Sequence, residues 1–368
     1  MQARNYFSPA EFRGHHTGIP FHAYSTAVVL LLFAAPFVLG SDAPWPLWDN
    51  HESVADYAKR VNLPPMNTLD LGNGVKMELV LIPAGKFIMG TPAPEKPIVG
   101  QIMAGVSGGV LFVAVLLLLV RTRRKRTRLQ FSMAFMLLLT FVASVGVWGG
   151  VRWHEALKHP EDYHSEHPAH QVTLTRPFYM GKFHVTQDEY QQVMGSNPSH
   201  FKGKDNPVET VSWDDAQDFL KKLPEQIKQS IRLPTEAEWE FACRAGTRTA
   251  YYSGDSESDL ARVAWYGENS KRTTHPVGQK ESNFFGVYDM HGNVWQWCQD
   301  RYGEDYYSHS ETENPQGPPL AAHRSMRGGS WCYYSGYCRS GRRCWEPPDL
   351  RTDYIGFRVV LVSSSRTP

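Results

Sequence analysis

Three of the five cysteines in this chain of 368 residues fall within 13 positions, at Cys332, Cys338 and Cys344. A deprotonated thiol is a soft metal ligand and a strong nucleophile, so such a cluster points to soft-metal binding, redox chemistry or a disulfide. Cys243 and Cys298 stand apart, and the odd total leaves at least one thiol free or joined to another chain. The cluster follows directly on Gly328-Gly329-Ser330-Trp331, a string suited to a tight turn. Histidines at His154, His159, His164, His167 and His170 make a second candidate group. His170 opens the strand-like string HQVTL, and the other four lie in a charged tether with no fixed geometry, so an ordinary solvated segment is the expectation there. Neither a phosphate-binding glycine loop nor a serine-nucleophile turn occurs.

The elements that would position these residues are unevenly spread. A net charge of +1 hides a basic run at 121–128, RTRRKRTR, with six basic residues in eight. Uncharged apolar stretches flank it, at 98–120 and 131–151. Each is long enough to cross a hydrocarbon core of roughly 30 Å as a helix. Short arginine-rich loops stay cytoplasmic, so 98–151 is expected to be a transmembrane hairpin with both ends on the exported side. Topology explains the basic run, and no nucleic-acid partner is expected. A weak small-residue pattern at Gly105 and Gly109 suits helix contact within lipid. Residues 1–40 carry an apolar run at 27–39 after Arg4 and Arg13, read as a signal peptide or an N-terminal anchor. The expected location is therefore the membrane, with membrane lipid as a partner and the main domain periplasmic or extracellular. Disulfides are permitted on that side.

Residues 41–76 show no strong pattern and read as a polar linker or short helix. At 77–90, MELVLIPAGKFIMG reads as two strands around Pro83-Ala84-Gly85. From Gln171 to Val362 the chain is rich in Trp, Tyr, Gly and Pro, which implies an α+β domain with much irregular structure. Three helix starts carry capping boxes: Thr186 with Glu189, Ser212 with Asp215, and Thr235 with Glu238. Gly195 and Gly246 are placed to end the first and third.

Eight strings occur in order: VLIPAGKFIMG, HQVTLTRPFYMGKFHVTQDEYQQVMG, NPVETVSWDDAQDF, RLPTEAEWEFACRAG, HPVG, GVYDMHGNVWQWCQD, MRGGSW and IGFRVV. Together they resemble the sulfatase-modifying-factor family, which includes the formylglycine-generating enzymes, over 77–90 and 166–362. The resemblance implies a C-type-lectin-like α+β fold interrupted after Gly90 by the hairpin. It also implies a copper-dependent oxidase that converts a sulfatase cysteine to formylglycine, with copper(I) held by two thiolates and an exported sulfatase polypeptide as partner. By that resemblance Cys338 falls on the second active-site cysteine. The first falls at Tyr333, so Cys332 stands one residue early, and Trp295 and Ser330 match pocket-lining positions. The cysteine in Cys338-Arg339-Ser340 also resembles a structural cysteine of non-catalytic relatives, and Cys344 can instead pair with Cys332. A calcium site would use Asp289, Gly292, Val294 and Gln296, the last a neutral amide where the family usually has glutamate. Two functions follow: a membrane-anchored oxidase, or a binding or scaffold module that keeps the fold without the reaction.

Overall fold

The computed structural model describes residues 44–92, 164–225 and 230–362. The 98–151 hairpin, the 1–40 segment, His154 and His159 lie outside them, and no helix among the described residues is long and apolar enough to cross a membrane.

Residues 44–76 are folded structure rather than a linker. Helix α1 (Val54–Val61) starts on Ser53, whose side chain accepts from the Asp56 amide. Strand β1 (Met66–Gly72) then pairs antiparallel with β2 (Val75–Ile82). The link is Asn73-Gly74, both with positive φ (52° and 83°), the conformation that two-residue hairpins favour. Alternating burial of Leu69 and Leu71 explains why a strand forms in so polar a stretch.

The expected pair of strands around Pro83 is present as β2 and β3 (Gly85–Met89), with β3 joined to β4 (His170–Leu174) in a separate two-stranded ribbon. β1 and β2 continue through β5 (Phe178–Gly181), β11 (Val360–Val362) and β6 (Ile231–Arg232) into a five-stranded sheet. A second sheet has the order β10 (Ile355–Gly356), β7 (Trp295–Arg301), β8 (Arg324–Arg327), β9 (Cys344–Glu346), and only its β10–β7 pair is parallel.

All three expected capping boxes form, on α2 (Gln187–Met194), α3 (Trp213–Lys222) and α4 (Glu236–Arg244). A fourth, Ser256 with Asp259, opens α5 (Glu257–Val263). α4 ends one residue before the expected glycine, because Ala245 already takes the left-handed turn and Gly246 follows with φ 92°. Between the layers Trp239, Trp295, Trp297, Phe219, Phe241 and Phe357 are fully buried. The α+β class with long irregular connections is what the structure shows.

Candidate functional site

β8 brings Met326 and Arg327 into the core and delivers the chain to Gly328-Gly329-Ser330. Gly329 has φ 75°, and a Cβ there would meet the Cys338 sulfur at 2.6 Å, so only glycine fits this approach. Ser330 is fully buried and meets both thiols. Its hydroxyl lies 3.4 Å from Cys332 Sγ, and its backbone is close enough to the Cys338 thiol to oppose part of the rise in that thiol's pKa. Cys338 ends a short 3-10 turn (Ser335–Cys338) and is buried among Tyr251, Leu260, Val263, Ala264 and Tyr266, whereas Cys332 is exposed. Burial pushes both thiols above their ordinary pKa, and the nearby Glu268 and Cys332 charges push Cys338 further. Both are therefore protonated at neutral pH unless a cation replaces the proton.

The one-residue offset has a structural consequence. Tyr333, which the resemblance sets where the first active-site cysteine is expected, turns inward, with its ring 5.6 Å from Trp295, 5.6 Å from Tyr354 and 5.1 Å from Tyr337. Trp295 is buried and reaches the cysteine loop through Tyr333, and its indole N–H is without a partner among the described residues. The Cys332–Cys344 disulfide is not present: none of the five cysteines is joined in a disulfide, and Cys344 is held in β9 opposite Met326. Nowhere among the described residues do three His, Cys, Asp or Glu side chains converge as a metal site. The two thiols beside Ser330 are donors of the soft kind that a monovalent ion such as copper(I) prefers.

His291 is a site residue the sequence did not single out. Its Nδ1 donates to the Cys338 carbonyl at 2.7 Å, while Nε2 accepts from the Tyr252 amide at 3.1 Å. Burial lowers its pKa to about 3, so it stays neutral in one tautomer and fixes the backbone under Cys338. Its presence in DMHGNVW was visible, but its partner lies 47 residues away.

The calcium quartet is brought together differently. Asp289 is buried, with Oδ2 accepting from the Gly278 amide at 2.8 Å and Oδ1 unpartnered among the described residues. The Gln296 side-chain oxygen accepts from Trp239 Nε1 and Arg358 Nε, each at 2.7 Å, and its amide nitrogen faces the Asp289 carbonyl at 3.3 Å. Gly292 and Val294 add only backbone carbonyls. Calcium takes six to eight oxygens, mostly charged. One carboxylate beside a fixed guanidinium and an amide N–H does not fit it.

Residues 142–362 match the Sulfatase-modifying factor enzyme 1-like domain. The chain belongs to this family. Among its relatives are the chaperone protein LppX of Paenibacillus barcinonensis, 32% identical over 44% of this chain and 71% of that protein. Another is the formylglycine-generating enzyme of Streptomyces coelicolor, 36% identical over 44% of this chain. This chain covers 55% of that enzyme's length. Among solved structures, Treponema denticola variable protein 1 superposes with a TM-score of 0.58 at 25% identity, over 82% of this chain and all of that one. The fold of this sulfatase-modifying-factor chain is therefore the family's, and the cysteine loop lies inside the matched region.

Proposed function

We propose that this protein is a membrane-anchored oxidase of the sulfatase-modifying-factor family, acting on a cysteine of an exported sulfatase polypeptide. The observation that carries the reading is the convergence of Cys332 and Cys338 on Ser330, one sulfur exposed and one buried. Membrane anchoring rests on the apolar runs at 98–120 and 131–151, and export of the domain on the basic run between them.

The two thiolates would hold copper(I), which when bound supplies activation of oxygen. The chain's own residues do the rest. The close approach of Gly329 and the His291 bond to the Cys338 carbonyl hold Cys338 in place, and the Ser330 hydroxyl orients Cys332. Cys332 is the member a substrate thiol can reach. Conversion of a cysteine side chain to an aldehyde removes two electrons from carbon and releases sulfur as sulfide. Full reduction of one oxygen molecule to water takes two more electrons, which two external thiols supply by joining as a disulfide. Because both thiols carry their protons at neutral pH, metal binding must release those protons and strengthen as pH rises.

A second reading, a recognition module without the reaction, is favoured by Tyr333, whose ring fills the space beside Trp295. Copper(I) titration of the reduced full-length protein separates the two. The oxidase reading expects one-to-one binding lost in both Cys332→Ser and Cys338→Ser, with affinity rising from pH 6 to 8. It also expects conversion of a sulfatase-type cysteine peptide to its aldehyde. Binding indifferent to Cys332, or no aldehyde with copper, oxygen and thiol supplied, leaves the recognition reading.

A further inference from the structure

A cleft of about 430 Å³ opens between the β3–β4 ribbon and the C-terminal end of α4, away from the cysteine loop in sequence and in lining. Its apolar floor is Phe87 and Phe241, whose rings lie 5.3 Å apart. Lys86, on β3, and Arg248, just after α4, both line it, and both are exposed. Neither has a carboxylate within ion-pair distance among the described residues, although most arginines of this domain are paired. Asn50 and Gln171 add side-chain amides that no other described residue engages.

A helix end ordinarily presents free carbonyls, which would repel an anion. Here they are taken. The Phe241 carbonyl accepts from the Ala245 amide, those of Ala242 and Cys243 from the Asn283 side chain, and that of Arg244 from Thr247. Arg244 also lines the cleft, but its charge is matched by Glu240 at 2.8 Å. What remains is a cleft with two unmatched positive charges, several donors and an aromatic floor. That combination suits an anionic head carrying an apolar chain, since a small inorganic ion would leave the floor wet and a neutral apolar ligand would leave the cations unused.

The location adds to this. β3 pairs with β4 up to Met89 and His170, and the Thr91 amide still donates to the Glu166 carbonyl at 3.1 Å. The cleft therefore lies on the ribbon from which the chain runs into residues 93–163 and their two long apolar stretches. We propose that this cleft binds the phosphate head of an anionic amphiphile, with Lys86 and Arg248 on the phosphate and the start of the chain on Phe87 and Phe241. This assignment does not depend on the oxidase reading.

The test is calorimetric titration of the full-length protein, in neutral detergent, with three probes: dihexanoyl phosphatidic acid, dihexanoyl phosphatidylcholine and inorganic phosphate. Phosphatidic acid is expected to bind at least about tenfold more tightly than either other probe. Lys86→Gln with Arg248→Gln should weaken it at least about tenfold, two charge-assisted contacts being lost, with no change in melting temperature. Phe87→Ala should weaken the lipid and leave inorganic phosphate unchanged. Equal binding of phosphate and phosphatidic acid would overturn the amphiphile and leave a free-phosphate site. Failure of both to bind, or binding indifferent to the charge variants, would overturn the site itself.

Discussion

Asp289 stands at a left-handed backbone position, φ 54°, with one carboxylate oxygen buried and unpartnered among the described residues. Burial raises its pKa from 3.8 to about 6, against the lowering effect of the Gly278 amide and of Arg358 and Lys280. A carboxyl whose folded pKa is raised favours the fold while protonated. Its contribution is complete below about pH 4 and is lost as pH rises through about 6. The size of the shift sets an upper limit of about 3 kcal/mol on that loss. Asparagine accepts this backbone conformation well and carries no charge. Asp289→Asn should therefore flatten the fall in urea midpoint between pH 4.5 and 7.5 and raise the midpoint at the upper end. An unchanged slope would mean that the carboxylate is solvated. Calcium provides a second reading of the same residue: a millimolar addition should not raise the wild-type melting temperature, and a rise absent from Asp289→Asn would restore a metal here.

At the scale of elements, α4 shows how local chemistry fixes a helix. The Thr235 hydroxyl accepts from the Glu238 amide at 3.2 Å, the Glu238 carboxylate accepts from the Thr235 amide at 2.9 Å, and Arg232 grips the same carboxylate through two 2.6 Å bonds. Thr235→Ala removes one buried cap and should cost about 1–2 kcal/mol in urea unfolding, near the upper end for caps because water cannot replace the hydroxyl. A loss within error would place the start of α4 under Glu238 and Arg232 alone. Such boxes were legible because donor, acceptor and apolar run lie within a few residues. The Asn73-Gly74 hairpin was equally local, but the polar residues of β1 concealed it. The four-stranded sheet was not legible, since β10 is two residues long and pairs Gly356 with the distant Gln296. The candidate site divides the same way. Ser330, Cys332 and Cys338 cluster in sequence and meet in space, whereas His291 and the inward turn of Tyr333 depend on packing that no spacing encodes.

The whole molecule must tolerate an interruption: β3 and β4 are adjacent strands of one ribbon, yet residues 93–163 lie between them in the chain. Closing so long a connection costs little more than closing a short one, provided its ends are held. Glu166 is the holder. It is fully buried, accepts from both Arg339 terminal nitrogens at 2.7 Å and from Thr91, and lies 3.9 Å from Arg342. It thereby ties the last residues before the interruption, the first after it, and the residue next to Cys338 into one cluster. Glu166→Gln takes from the buried Arg339 the carboxylate that accepts from both its terminal nitrogens, which should cost about 3–5 kcal/mol. For a domain of this size that lowers the melting temperature by about 10 °C. Glu166→Leu combined with Arg339→Met removes both charges and should recover much of the loss. Under the oxidase reading it should not restore copper binding, because Arg339, whose Nε donates to the Gly336 carbonyl at 3.0 Å, no longer anchors the turn before Cys338. A loss below about 1 kcal/mol in Glu166→Gln would show that the ribbon hydrogen bonds alone close the domain, and that the cysteine loop is independent of the interruption.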